Sequence, residues 1–226
     1  MAARFLRGDE GNVKDARIAA LFVARGGVYY GLPDVDPWDE ERDARKYQGP
    51  HPVVAHPPCE RWGRYWDGGP SARGRFRKGE DGGCFEAALL AVNLWGGVLE
   101  HPAGSSAWAA FGLAKPPRAG GWVHTRFGWT CCVDQGHYGH RASKATWLYA
   151  AHRDNELLWQ PADMVWGAAG KTLPLEGLSL ERRARQIKTG VVQNLSHKQR
   201  KATPPSFRDV LLRIALSART SVQKTG

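Results

Sequence analysis

The chain has 226 residues, 42% hydrophobic and 24% charged. That is the make-up of one globular domain with room for an appendage, large enough to bury roughly 70% of its unfolded surface, and it excludes the disordered and fibrous classes. No apolar run approaches the ~18 residues of a membrane span and residues 1–15 lack an apolar signal stretch, so membrane and secreted classes are set aside and a cytoplasmic location is expected. The formal net charge is +10, and from Glu181 onward eleven Lys and Arg meet two acids. A basic tail on a near-neutral body points to a polyanionic partner, most often nucleic acid; a merely solvated tail is the plainer reading.

In chain order, the apolar runs of residues 18–24 and 28–32 flank Arg25-Gly26-Gly27, which is either a hairpin turn or a strand entering a Gly-rich loop. Residues 36–47 read as a short helix ended by Gly49-Pro50, and residues 52–56 as a buried strand closed by Pro57-Pro58. A long Gly- and Arg-rich loop spans 60–83, a length that usually goes with function. Residues 84–95 form the clearest amphipathic helix, stopped by Gly96-Gly97, and a strand follows over 97–102. Two more strands, Trp129 to Gly136 and Ala145 to Ala150, are separated by Gly136-His137-Tyr138-Gly139-His140-Arg141. Residues 151–200 carry weak periodicity, and a closing helix over 207–218 is entered through Thr203-Pro204-Pro205. This alternation is that of an open α/β sheet, in which ligands sit at the carboxyl ends of the strands.

Four cysteines, two of them adjacent, do not make a disulfide framework and suit a reducing compartment. Ten tryptophans should lie mostly in the core, although an indole beside a basic groove can stack on bases. Cys131-Cys132 with His137 and His140 offers four zinc-capable ligands, but adjacent cysteines rarely both ligate, so no metal is expected.

Three sites place reactive side chains directly after apolar strands. In Val54-Ala55-His56-Pro57-Pro58-Cys59, two prolines stiffen the backbone before a cysteine, as covalent catalysis by a thiolate requires; the plain reading is a small buried hydrophobe. In Gly97-Val98-Leu99-Glu100-His101-Pro102, a glutamate ends a strand, where partial burial would let it hold a proton; a solvated acid is the alternative. The segment Gln135 to Lys144 carries cations able to grip phosphate or a base edge, and taken alone is an ordinary basic loop.

Glu100 lies 41 residues after Cys59, and Gly139–Thr146 begins 39 residues after Glu100. In order and spacing these segments resemble the DNA (cytosine-5)-methyltransferase family, as a divergent, short phage-type member. In that family a strand ends in Pro-Pro-Cys, another in Glu-Asn-Val, and a Gln-x-Arg-x-Arg segment leads into a third. The run ATPPSFRDVLLRIA is similar to the family's closing Pro-Pro-plus-helix motif. Against the family pattern, His101 stands for the asparagine, Ala142 for the glutamine, Thr146 for the last arginine and Ala24 for the middle glycine of the donor loop. No large target-recognition domain is present between the last two motifs.

The resemblance implies an α/β fold: a Rossmann-like methyltransferase-type sheet, abbreviated at its N-terminal end, with a basic C-terminal extension. Residues 1–150 would be the catalytic domain and 151–226 the extension, its last helix packing back on the core. The implied activity is modification of DNA cytosine at carbon 5 through a covalent cysteine adduct, with Cys59, Glu100 and Lys144 catalytic and Pro58 holding the nucleophile loop. S-adenosylmethionine would be held by Phe22, Gly26, Asp36 and Pro57. The nucleic acid would meet Arg61, Arg64, Arg75, Arg141, Lys198, Arg200 and Lys201, with the 60–83 loop holding a flipped base. A protein partner or a second copy would supply target recognition, in the cytoplasm of a host if phage-encoded. Two alternatives stay open: the same cysteine and glutamate chemistry with methylene-tetrahydrofolate as donor, and an inactive nucleic-acid-binding protein.

Overall fold

A computed structural model describes residues 17–63, 65–68, 75–154, 156, 158–169, 179–189 and 195–219, without the side chains of 185–189, 197 and 198. The elements run β1 (Ile18–Leu21), β2 (Val35–Trp38), β3 (Val53–Ala55), α1 (Cys84–Trp95), β4 (Gly97–Pro102), α2 (Ala107–Ala110) and β5 (Val123–His124). They continue with β6 (Trp129–Asp134), β7 (Ala145–Ala151), α3 (Leu180–Thr189), α4 (His197–Lys201) and α5 (Pro205–Ser217). The strands form one mixed sheet in the order β2-β1-β3-β4-β7-β6-β5. β2, β1, β3 and β4 pair in parallel, while β7 is antiparallel to both β4 and β6. The fold is α/β.

Strand alternation gives the sheet two apolar faces. Ile18, Ala20, Val54, Val98, Leu148 and Ala150 face α5, which contributes Phe207, Val210, Leu211, Ile214 and Ala215. Ala19, Leu21, Val53, Ala55, Leu99 and Tyr149 face α1, which contributes Phe85, Ala88, Ala91 and Val92. Gly97 is required where β4 meets β3: its φ is +129° and a Cβ there would lie 2.0 Å from the Val53 carbonyl oxygen. Among the described residues no helix is long and apolar enough to cross a membrane.

One expectation at the N-terminal end is corrected. Residues 36–47 do not form a helix: Val35–Trp38 is strand β2, and only Ala44–Lys46 makes a 3-10 turn. Pro37 is tolerated because β2 is an edge strand, while Asp39 accepts the backbone N–H groups of Glu41 and Arg42 and turns the chain. Of the two readings of residues 18–32, the structure takes the strand that enters a loop and not the hairpin. β1 pairs with β2 in parallel, and the β-prone Val28-Tyr29-Tyr30 lies in turns with Tyr29 buried.

The long segment after β3 is fastened at both ends. Trp62 is buried and donates to Asp81 (2.7 Å), whose carboxylate also accepts from the backbone of Phe85 (2.9 Å) at the start of α1. Trp62 packs on the same core as Phe85.

Candidate active site at the carboxyl edge of the sheet

Because β1 to β4 are parallel, their carboxyl ends share one edge, which the turn between β6 and β7 also reaches. The chain runs from β1 outward to β2, then returns to place β3 on the other side of β1. That reversal leaves a crevice between the ends of β1 and β3, where open α/β sheets bind ligands.

Ala55 is level with Leu99 across the β3–β4 ladder, so the next residues, His56 and Glu100, come side by side. His56 Nδ1 donates to Glu100 Oε2 at 2.9 Å, and the Tyr29 hydroxyl lies 2.8 Å from His56 Nε2. Gln135, in the 3-10 turn Gln135–Tyr138 after β6, donates to Glu100 Oε1 at 3.1 Å and to Thr146 Oγ1 at 2.9 Å. Glu100 is thus buried and held from two sides. Burial pushes its carboxyl up, but the hydrogen bond and charge of His56, with Lys144 and His101, prevail and hold it below the ordinary value.

Cys59 is half-buried with a free thiol. Burial pushes that thiol above its ordinary range, the carboxylates of Glu60 and Glu100 add to the effect, and Lys201 opposes it. Lys201 forms an ion pair with Glu60, and Lys144 Nζ donates to the carbonyls of Lys201 (3.4 Å) and Ala202 (3.3 Å). Cys59, Glu100 and Lys144 therefore share one electrostatic neighbourhood, with the end of α4 docked against it. His101 points to the opposite face, buried between Phe85 and Trp108, where burial favours its neutral ring.

The residues assigned to S-adenosylmethionine lie in or just beyond β1, β2 and β3. Phe22 turns the chain out of β1 in a left-handed conformation (φ 58°) and packs on the α1-side core. A Cβ on Gly26 would meet nothing within 4 Å, so the space beside its backbone is open. Asp36 is buried with both oxygens taken, by Arg42 and by Trp38 Nε1 (2.7 Å). Pro57 is buried and Pro58 exposed. A cleft of about 420 Å³ does lie beyond the ends of β1 and β2, lined by Val23, Ala24, Arg25, Asp39, Glu40 and Glu41.

Of the residues assigned to nucleic acid, Arg61 stacks over Phe76 (3.4 Å to the ring centroid) and donates to the Trp66 carbonyl at 3.0 Å. Arg75, Arg141, Arg200 and Lys201 are exposed. Arg64 and the side chain of Lys198 lie outside the described residues. Cys131 and Cys132 belong to opposite faces of β6, one in each core.

Three residues of the site escape a reading by sequence alone: His56, Tyr29 and Gln135. His56 carries the one usable signal, a histidine directly after a buried strand and before Pro-Pro-Cys. No protein-family model and no curated protein sequence matches the chain.

Proposed function

We propose that the chain is an enzyme of the DNA (cytosine-5)-methyltransferase type that modifies cytosine at carbon 5 through a covalent adduct with Cys59. The observation that carries the reading is the placement of Cys59, Glu100 and Lys144 along one edge of the sheet, beyond β3, near the carboxyl end of β4 and at the amino end of β7, beside the point where the strand order reverses. We read the sheet accordingly as Rossmann-like and methyltransferase-type, abbreviated beyond β2.

Carbon 5 of cytosine becomes nucleophilic when sulfur adds at carbon 6 and nitrogen 3 receives a proton. Cys59 is the nucleophile, Glu100 faces nitrogen 3, and Lys144 steadies the carboxylate. DNA is the partner, with the target base turned out of the duplex to reach the buried carboxylate. The carboxylate of Asp36 is taken by Arg42 and Trp38, which favours a donor held by other residues, with methylene-tetrahydrofolate the alternative to S-adenosylmethionine.

The test is DNA containing 5-fluorocytosine, incubated with the protein and each donor in turn. Fluorine blocks the final elimination, so the wild-type protein should give a denaturation-resistant complex by mass with one donor, and Cys59→Ser should give none. A complex that survives Cys59→Ser overturns the assignment. No complex with either donor leaves the chain as a nucleic-acid-binding protein.

A further inference from the structure

Glu100 has two side-chain hydrogen-bond partners among the described residues, and they differ in kind. Gln135 offers an amide hydrogen that stays on nitrogen at any working pH. His56 offers an imidazole nitrogen at 2.9 Å, and its far nitrogen is fixed by the Tyr29 hydroxyl at 2.8 Å. Tyr29 is 3% exposed, and the side chains of His56 and Glu100 are 13% and 10% exposed, so water has little access to the chain of three. Of the two partners, only the imidazole can hand the carboxylate a proton and take it back.

We propose that His56, positioned by Tyr29, is the proton store for Glu100, so that the pair rather than the carboxyl alone supplies the proton that nitrogen 3 of the base requires. This rests on the cytosine reading above. The Cys59 thiol releases its proton to solvent and the sulfur bonds to carbon 6. The carbon 5–carbon 6 π pair moves into the carbon 4–carbon 5 bond, and the carbon 4–nitrogen 3 π pair moves onto nitrogen 3. His56 enters the step as the imidazolium, its Nε2–H directed at the Tyr29 hydroxyl oxygen. Its Nδ1 proton passes to Glu100 Oε2 and leaves a neutral imidazole, the new hydroxyl turns about its C–O bond, and nitrogen 3 takes the proton. Elimination reverses each transfer.

Several titratable groups surround that pair. Cys59 and Glu60 lie beyond β3, Tyr29 in the β1–β2 connection and Lys144 before β7, while His101 on β4 acts from the opposite face. Lys201 stands at the end of α4, and Arg208 and Asp209 in α5 act on it through Tyr29. The lowered carboxyl agrees with the proposal: at neutral pH Glu100 stands ionised and needs a proton brought to it.

Exchange of the cytosine carbon 5 hydrogen for solvent deuterium tests this without any donor. In the adduct, carbon 5 takes a deuteron, loses its original proton, and sulfur leaves. Exchange is followed by nucleoside mass across pH for wild type, His56→Asn and Tyr29→Phe, the asparagine keeping an N–H toward Glu100 that does not titrate. His56→Asn should slow exchange about 100-fold near pH 8, and its high-pH decline should begin at lower pH. Tyr29→Phe, which alters the ring from its far side, should move the position of that decline. Wild-type rate and profile in His56→Asn overturn the proposal. Should that variant fail to fold, an unmoved decline in Tyr29→Phe overturns it. No exchange by the wild-type protein at any pH overturns the cytosine reading, and this proposal with it.

Discussion

The Cys59 thiol sits between charges of opposite sign, and they set when it becomes a thiolate. Burial dominates and raises its pKa, Glu60 and Glu100 push the same way, and Lys201 pulls it down. At neutral pH the resting protein therefore carries a thiol, protected until something changes its surroundings. Glu60→Gln removes a negative neighbour and leaves Lys201 in place, so the pKa falls. Lys201→Ala removes a positive neighbour, so it rises. Alkylation of Cys59 by iodoacetamide at neutral pH, followed by peptide mass, should accordingly quicken about 3-fold or more in the first variant and slow in the second, since each pKa unit is a tenfold change in thiolate. Equal rates in all three proteins would remove both charges from the account. The cysteine and the glutamate are legible in the sequence because each directly follows an apolar run. Their support is not: Tyr29 and His56 are 27 residues apart, and His56 and Glu100 are 44 apart. Contacts of that range leave no periodicity for a sequence pattern to register.

At the scale of elements, the turn joining β6 to β7 carries Gln135 and Lys144 into the site, and Asp134 holds it. Its carboxylate accepts from the backbone of Gly136 (2.9 Å), Lys144 (2.9 Å) and Ala169 (3.2 Å) and from the Ser143 hydroxyl (2.6 Å). Burial alone would raise the Asp134 carboxyl, but these donors lower it. A lowered folded pKa means that its stabilisation is complete above the unfolded value and is lost as pH falls through the folded one. Asp134→Asn should cost about 2 kcal/mol at neutral pH by urea unfolding, because an amide cannot accept at both positions. The gap between variant and wild type should close as the pH drops below about 4. A gap independent of pH would show that shape rather than charge secures the turn. Helix α1 was legible to the residue, with Gly96-Gly97 at its end, and the closing helix nearly so. β2 was not. Asp36 to Tyr47 is polar and rich in helix formers, whereas tertiary pairing with β1 makes Val35–Trp38 a strand. Tyr29 misled in the other direction, a β-prone residue whose turn is fixed by its bond to His56.

At the scale of the molecule, the end of α4, within the basic stretch after Glu181, is joined to the site. Lys201 pairs with Glu60, next to Cys59, and Lys144 holds the carbonyls that follow α4. DNA bound along this segment would therefore arrive at the carboxyl edge of the sheet, where the thiol and Glu100 stand. Each lysine or arginine that meets a phosphate releases counterions, so affinity should fall steeply with salt. Arg200 is exposed and free to make such a contact, and Arg200→Ala should reduce the logarithmic salt slope by about one. Lys201 differs, because a phosphate must compete with Glu60 for it. Glu60→Gln releases that ammonium, and should therefore both tighten DNA binding and steepen the salt slope. Fluorescence anisotropy with a labelled duplex over a salt series would read both variants. A flat wild-type slope, or Glu60→Gln binding with the wild-type slope, would detach the tail from DNA and leave the Lys201–Glu60 pair a structural tie between α4 and the cysteine loop.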